Sequence, residues 1–229
     1  MMAISRKAKK GLYIGSAVLI LLTAIVGWMH TKAARPFLAA IGVHCPVDEV
    51  KSSEVAAIRE KGLNGLRGNL PAPARPTVNG MPLESFSEAD AQKWAADKHV
   101  NCEAVVHGMR YLRCRGVDGK MLGVAGPSIS ELWLSFGETG KLIGVDIYRR
   151  GLDAQGETIA WSDAVERLKT RLGEPAVNFG DASPTALSAT DYQTARVQYR
   201  YTDYVATVTA VKLPYAGLAV REQYMSAKS

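Results

Sequence analysis

The sequence predicts an α+β chain in which one N-terminal transmembrane helix precedes a tandem α-β-β-β-β domain, with an antiparallel sheet carrying its helices on one face. Three observations lead there. A single nineteen-residue run, Gly11 to Met29, is apolar and uncharged. A capped amphipathic helix followed by four alternating apolar segments occurs twice, about 75 residues apart from Ser87 to Ser162. Two of the three cysteines stand where a β-hairpin would oppose them.

At about 1.5 Å of rise per residue, the run 11–29 is long enough to cross the roughly 30 Å hydrocarbon core once. Arg6, Lys7, Lys9 and Lys10 precede it with no acidic residue among the first ten, so residues 1–10 form a cytoplasmic stub and the rest lies outside. Tyr13 and Trp28 stand near its two ends, where amphipathic rings favour the headgroup layer. A cleaved signal peptide is the competing reading. Its best cut, after Ala34, has Lys32 at minus three and Pro36 just beyond, a poor site. Cys45 follows Gly-Val-His far beyond the apolar run, which argues against a lipoprotein.

Charge is distributed unevenly. Residues 1–35 hold six Lys/Arg and no Asp/Glu, which accounts for the whole net charge of +6 and leaves 22 basic and 22 acidic residues in the remainder. The exported part is neutral and carries no electrostatic footprint for nucleic acid.

Residues 30–86 read as a juxtamembrane helix and a proline-rich linker. Ser52 or Ser53 caps a short helix running through Val55 and Ile58 to Gly62. Pro71, Pro73, Pro76 and Pro82 then exclude regular helix, and Asn79-Gly80 marks a turn, giving a linker or an extended edge segment. The αβ domain occupies 87–229, with its two expected repeats at 87–150 and 161–225. In the first, Ser87 caps a helix with Glu88 and Asp90 in its first turn, and Trp94 anchors it to the core. Strands follow on Leu132, Leu134 and Phe136 and on Ile143, Val145 and Ile147, turned by GETGK. In the second, Ser162 caps a helix whose stripe is Val165, Leu168 and Leu172, closed by Gly173 and Pro175. Strand-like segments cover 176–179, 194–201, 204–212 and 218–224.

An exported chain with three cysteines implies one bridge and one remaining thiol. CEAVV and RYLRC, folded as a hairpin about Gly108, set Cys102 opposite Cys114 on the face of Ala104, Val106 and Leu112. Glu103, His107, Tyr111 and Arg113 take the other face. Such a bridge contributes about 3 kcal/mol. Cys45 is left to pair between chains or to stay a buried thiol. The set His99, Cys102, His107 and Cys114 has zinc-ligand residue types, but the hairpin turns His107 away from the cysteines and an oxidising compartment favours the disulfide.

On Asn101-Cys102-Glu103, Cys114-Arg115-Gly116 and the aromatic strand Trp133 to Phe136, about 50 residues of the first half resemble the β-lactamase inhibitory protein family. That resemblance implies helices packed on an antiparallel sheet whose opposite, concave face grips an enzyme. The helix-then-strands order is similar to that of the small SmpA-type outer-membrane assembly lipoproteins, although their lipobox is absent. The whole is also similar to uncharacterised bacterial envelope proteins.

Little in the sequence points to catalysis. Gly126-Pro127-Ser128-Ile129-Ser130 is not G-x-S-x-G and reads as a turn before a strand. Metalloprotease, P-loop and dinucleotide fingerprints are missing, so no catalytic, metal or cofactor residue is assigned and no cofactor is expected. Glu131 with Glu138, or Asp146 with Asp153, are carboxylate pairs that sequence cannot bring together. Aromatic and basic residues supply the candidate binding face: Trp133, Tyr148, Arg149, Arg196, Tyr199, Arg200, Tyr201 and Tyr204, of the types that dominate interface hot spots. The expected function is a membrane-anchored, non-catalytic protein-interaction module on the outer, periplasmic side of the bacterial cytoplasmic membrane, with an envelope protein as partner. Its alternatives are an inhibitor or immunity protein against an envelope-acting enzyme, and an envelope enzyme acting on cell-wall material.

Overall fold

The computed structural model describes residues 52–228 and, before them, Thr23. Thr23 apart, the predicted anchor over 11–29 lies outside the described residues, as does Cys45. Among the described residues no helix is long and apolar enough to cross a membrane.

The domain is α+β. Helix α1 (Ser52–Asn64) comes first, then α2 (Glu88–Asp97), four strands β1 (Asn101–His107), β2 (Met109–Val117), β3 (Ile129–Phe136) and β4 (Leu142–Leu152), and the long helix α3 (Ala154–Leu172). The chain continues through β5 (Val177–Phe179), the short α4 (Pro184–Ser188), β6 (Thr194–Arg200), β7 (Tyr204–Leu213) and β8 (Gly217–Ser226). All eight strands form one antiparallel sheet in the order β1-β2-β3-β4-β8-β7-β6-β5. Each group of four therefore runs inward from an edge, and the last strands of the two groups, β4 and β8, pair at the centre from Gly144 with Met225 to Leu152 with Leu218.

Strand alternation sorts side chains between two faces. Leu132, Leu134, Val145, Ile147, Tyr204, Ala206, Val208 and Tyr224 are all buried on the face that meets the helices. Against them α3 sets Ala160, Ala164, Leu168 and Leu172, and α2 sets Ala91, with Trp94 packed alongside. A capping box between Ser87 and Asp90 starts α2 as its sequence signals. The cap of helix α3 stands nine residues earlier than Ser162: it is Asp153, accepting from Gly156 N at 2.7 Å. The turn needed a polar residue at the end of β4, and Asp153 meets that need before Ser162 is reached. The buried stripe consequently includes Glu157, Ala160 and Ala164, and Val165 only flanks it.

Across the centre of the helix-bearing face lies an ionic network. Fully buried Arg149 donates from Nη1 to Glu222 Oε1 at 2.5 Å and from its other nitrogens to the carbonyls of Pro127 and Ala125, both at 3.2 Å. Glu222 Oε2 accepts from Arg167 at 2.7 Å and from the Tyr224 hydroxyl at 2.6 Å. Every polar atom of Glu222 is thus answered, which buried charge requires. The loop Gly126-Pro127-Ser128 is held by Arg149 and leads directly into β3, a turn before a strand.

The proline-rich segment is built into the domain. Val78, Met81 and Leu83 are buried in the main core, Leu70 O accepts from Thr202 N at 2.9 Å, and Ala72 N donates to Asp203 at 2.9 Å. A Cβ on Gly68 would stand 2.1 Å from Arg200 O, so this strap reaches the β6–β7 turn only through a glycine. Arg75 binds Glu84, which also accepts from Ser226 and pairs with Lys228 at 2.9 Å. Proline suits a segment that hydrogen-bonds along one side only.

Candidate binding face

The sheet face opposite α2 and α3 is polar and aromatic. On β2, β3, β4 and β8 the alternation sends Tyr111 and Arg113, Glu131 and Trp133, Asp146 and Tyr148, and Arg221 and Gln223 to this side. Trp133 Nε1 donates to Glu131 at 2.9 Å, and Arg113 hydrogen-bonds the same carboxylate while lying 5.0 Å over the indole. Tyr111 meets Trp133 edge-on, with centroids 5.9 Å apart and planes at 81°. Arg150 and Arg221 lie 5.3 and 5.1 Å from the Tyr148 ring. Each such cation–π contact contributes about 0.5–2 kcal/mol, so the patch is pre-set in shape.

The carboxylates feel this environment differently. Burial alone would raise Glu131, but the hydrogen bonds from Trp133 and Arg113 outweigh it and hold the carboxyl below its ordinary value. At Asp146 burial prevails and raises the carboxyl, although Arg221 Nε at 2.9 Å and Gln223 at 3.0 Å pull the other way. Farther across, β6 and β7 bring Gln198 and Thr207 together at 3.0 Å, with Arg200 donating to Gln198 at 2.6 Å and Arg196 exposed.

Of the eight residues chosen from sequence, Trp133, Tyr148, Arg196 and Arg200 share this face. Arg149, Tyr199 and Tyr204 are corrected to the interior: all are buried on the helix-bearing face, Arg149 in its ion pair and Tyr204 donating to Pro76 O. Tyr201 also turns towards the helices and donates to Leu172 O at 2.9 Å. Period-two alternation is the reason, since neighbours in one strand take opposite sides. Tyr111, Arg113, Asp146 and Arg221 also belong to the face, beyond the residues expected from sequence. Tyr111 and Arg113 were already legible as residues opposite the disulfide face.

The hairpin forms as its cysteines suggest. Cys102 pairs with Cys114 in register and the two are bonded, with Cα atoms 4.0 Å apart. Both sulfurs are thereby engaged in the bridge, His99 lies in the turn between α2 and β1, and His107 is the last residue of β1. Among the described residues no group of three or more His, Cys, Asp or Glu gathers as metal ligands. The carboxylate pairs are engaged separately: Glu131 by Arg113, Asp146 by Arg221 and Asp153 at the α3 cap, while Glu138 stands exposed in the β3–β4 turn.

A bulge changes one further residue. Between Ser135 and Phe136 the register slips, so Phe136 pairs with Leu142 and Leu142 goes to the core in place of the expected Ile143. Ile143 faces the open side, beneath α1. Helix α1 is fastened there by buried Leu63, which packs with Val205, Ala227 and Met225, and by Arg59 donating to Ser226 O. Between α1 and the sheet are two cavities. One, of about 880 Å³, is lined by α1 and by the β1–β2 and β3–β4 turns; the other, of about 410 Å³, extends over Trp133 and Tyr148.

No protein family, no curated protein and no solved structure matches this chain.

Proposed function

We propose that this protein is a membrane-anchored, non-catalytic interaction module of the bacterial envelope, that the open sheet face binds a protein partner, and that the two α-β-β-β-β halves are a tandem pair building that face. One observation carries the reading: Tyr111, Arg113, Trp133, Tyr148 and Arg221 form a contiguous aromatic and guanidinium patch whose rings and cations are already oriented by one another. Residues of these types dominate interface energetics, and side chains ordered in advance lose less freedom on binding. The carboxylates of the patch are tied up in ion pairs, which suits recognition better than proton transfer. The uncharged run at 11–29 supports placement at the membrane.

A photo-crosslinking residue placed at Arg150 or Arg196, both exposed, tests this in intact cells. One discrete protein adduct from these positions, and none from Lys93 on the helix-bearing side, is expected. Equal labelling from both sides, or no adduct from the open face, would remove the proposal.

A further inference from the structure

The space beneath α1 differs in chemistry from the aromatic patch. The larger cavity is walled by Ala56, Val106, Met109, Phe136 and Ile143, and its volume of about 880 Å³ falls in the range of sites for small apolar ligands. Ordinary packing between a helix and a sheet leaves few gaps larger than a water molecule. The bulge that turns Ile143 outward adds apolar surface to this groove, and Val106, 78% exposed on the edge strand, borders it.

At the junction of the two cavities stands Arg59, which lines both. The neighbouring cations are matched: Arg110 lies 3.3 Å from Glu88 and Lys228 2.9 Å from Glu84. Glu60 is held by both terminal nitrogens of Arg67, at 2.6 and 3.1 Å. Arg59, by contrast, makes no ion pair among the described residues, and its one hydrogen bond goes to a neutral carbonyl, Ser226 O. Burial lowers its affinity for the proton despite nearby Glu60 and Glu84. A half-buried guanidinium with open donors at the mouth of an apolar groove is complementary to an acid group joined to a hydrocarbon chain.

We propose that this groove binds a single-chain anionic amphiphile, with its acid head on Arg59 and its acyl chain along Val106, Met109 and Ile143. The ligand class is that of a long-chain carboxylate. This goes beyond the protein-partner reading and does not need it.

The test uses the full chain in nanodiscs of zwitterionic lipid and a photoactivatable palmitate, with labelled residues mapped by mass spectrometry. Labelling within 106–110 or 136–143 is expected, competed by free palmitate. Laurate, four methylenes shorter, competes on the order of a hundredfold less well, since each buried methylene contributes about fourfold, and methyl palmitate competes at least tenfold less well than the acid. Arg59→Gln abolishes the preference for acid over ester and keeps the dependence on chain length. Met109→Gln weakens both probes alike. Label confined to 11–29, competition indifferent to chain length, or an ester equal to the acid overturns the proposal. A protein adduct from Arg150 with no lipid label would leave the binding-module reading intact and end this one.

Discussion

At the scale of single residues, two carboxylates shape the pH dependence of stability in opposite directions. Glu157 is fully buried in the first turns of α3, and neither of its oxygens has a hydrogen-bond partner among the described residues. Burial pushes its carboxyl up from the ordinary 4.5 to about 7. Between those values the unfolded chain has released the proton and the folded chain still holds it, so stability falls as pH rises through that window. Glu84 behaves inversely, because the Arg75 guanidinium holds its carboxyl down to about 2; its contribution is present above 4.5 and is lost as pH falls towards 2. We expect Glu157→Gln to flatten the decline between pH 4.5 and 7 and to stabilise the protein at pH 8 by about 3 kcal/mol in urea titrations. An unchanged slope would show that Glu157 ionises freely in the folded state.

Individual elements explain why some structure was legible in the sequence. The β1–β2 hairpin is local, with Gly108 at a left-handed φ of 64° and the cysteines six residues to either side, so pairing follows from counting. Helix α2 announces itself through a cap written within four residues. Helix α3 starts earlier than its most conspicuous serine because several polar residues satisfied the capping rule, and Asp153, at the end of β4, is the one whose side chain accepts from Gly156 N. Ile143 departs from the expected alternation for a related reason: a bulge shifts alternation by one, and nothing within β4 distinguishes the shifted register from the regular one. At this scale the disulfide has a definite expected effect. Replacing both Cys102 and Cys114 by alanine should cost about 3 kcal/mol by the loop-entropy relation, read from urea midpoints, and should raise amide exchange first in edge strand β1. Exchange that rises instead across the whole sheet would place the bridge's influence on the global fold.

For the whole molecule, the open face was harder to read than the fold, because its members come from strands far apart in sequence. Arg221 reaches Asp146 only because β8 returns to pair with β4. The same seam decides how the domain comes apart. The first four strands and the last four share one continuous sheet, yet of the ladder pairings only β4 with β8 joins them. Three features tighten that join: Arg149 on β4 is ion-paired with Glu222 on β8, Arg167 on α3 reaches the same carboxylate, and the strap from Leu66 to Ser85 touches both the β6–β7 turn and the start of β4. With its charges buried, the seam resists separation, because parting the halves would strand Arg149 without its partner. Unfolding is therefore expected to be a single transition. Proteins retaining only Trp133, in the first half, or only Trp161, on α3, should report coincident urea midpoints. Glu222→Ala should lower both together by about 3–5 kcal/mol, the cost of leaving buried guanidinium groups uncompensated. Midpoints that separate in the parent or the variant would mean that each set of four strands holds its own core, and that the ionic seam fastens two independently stable halves.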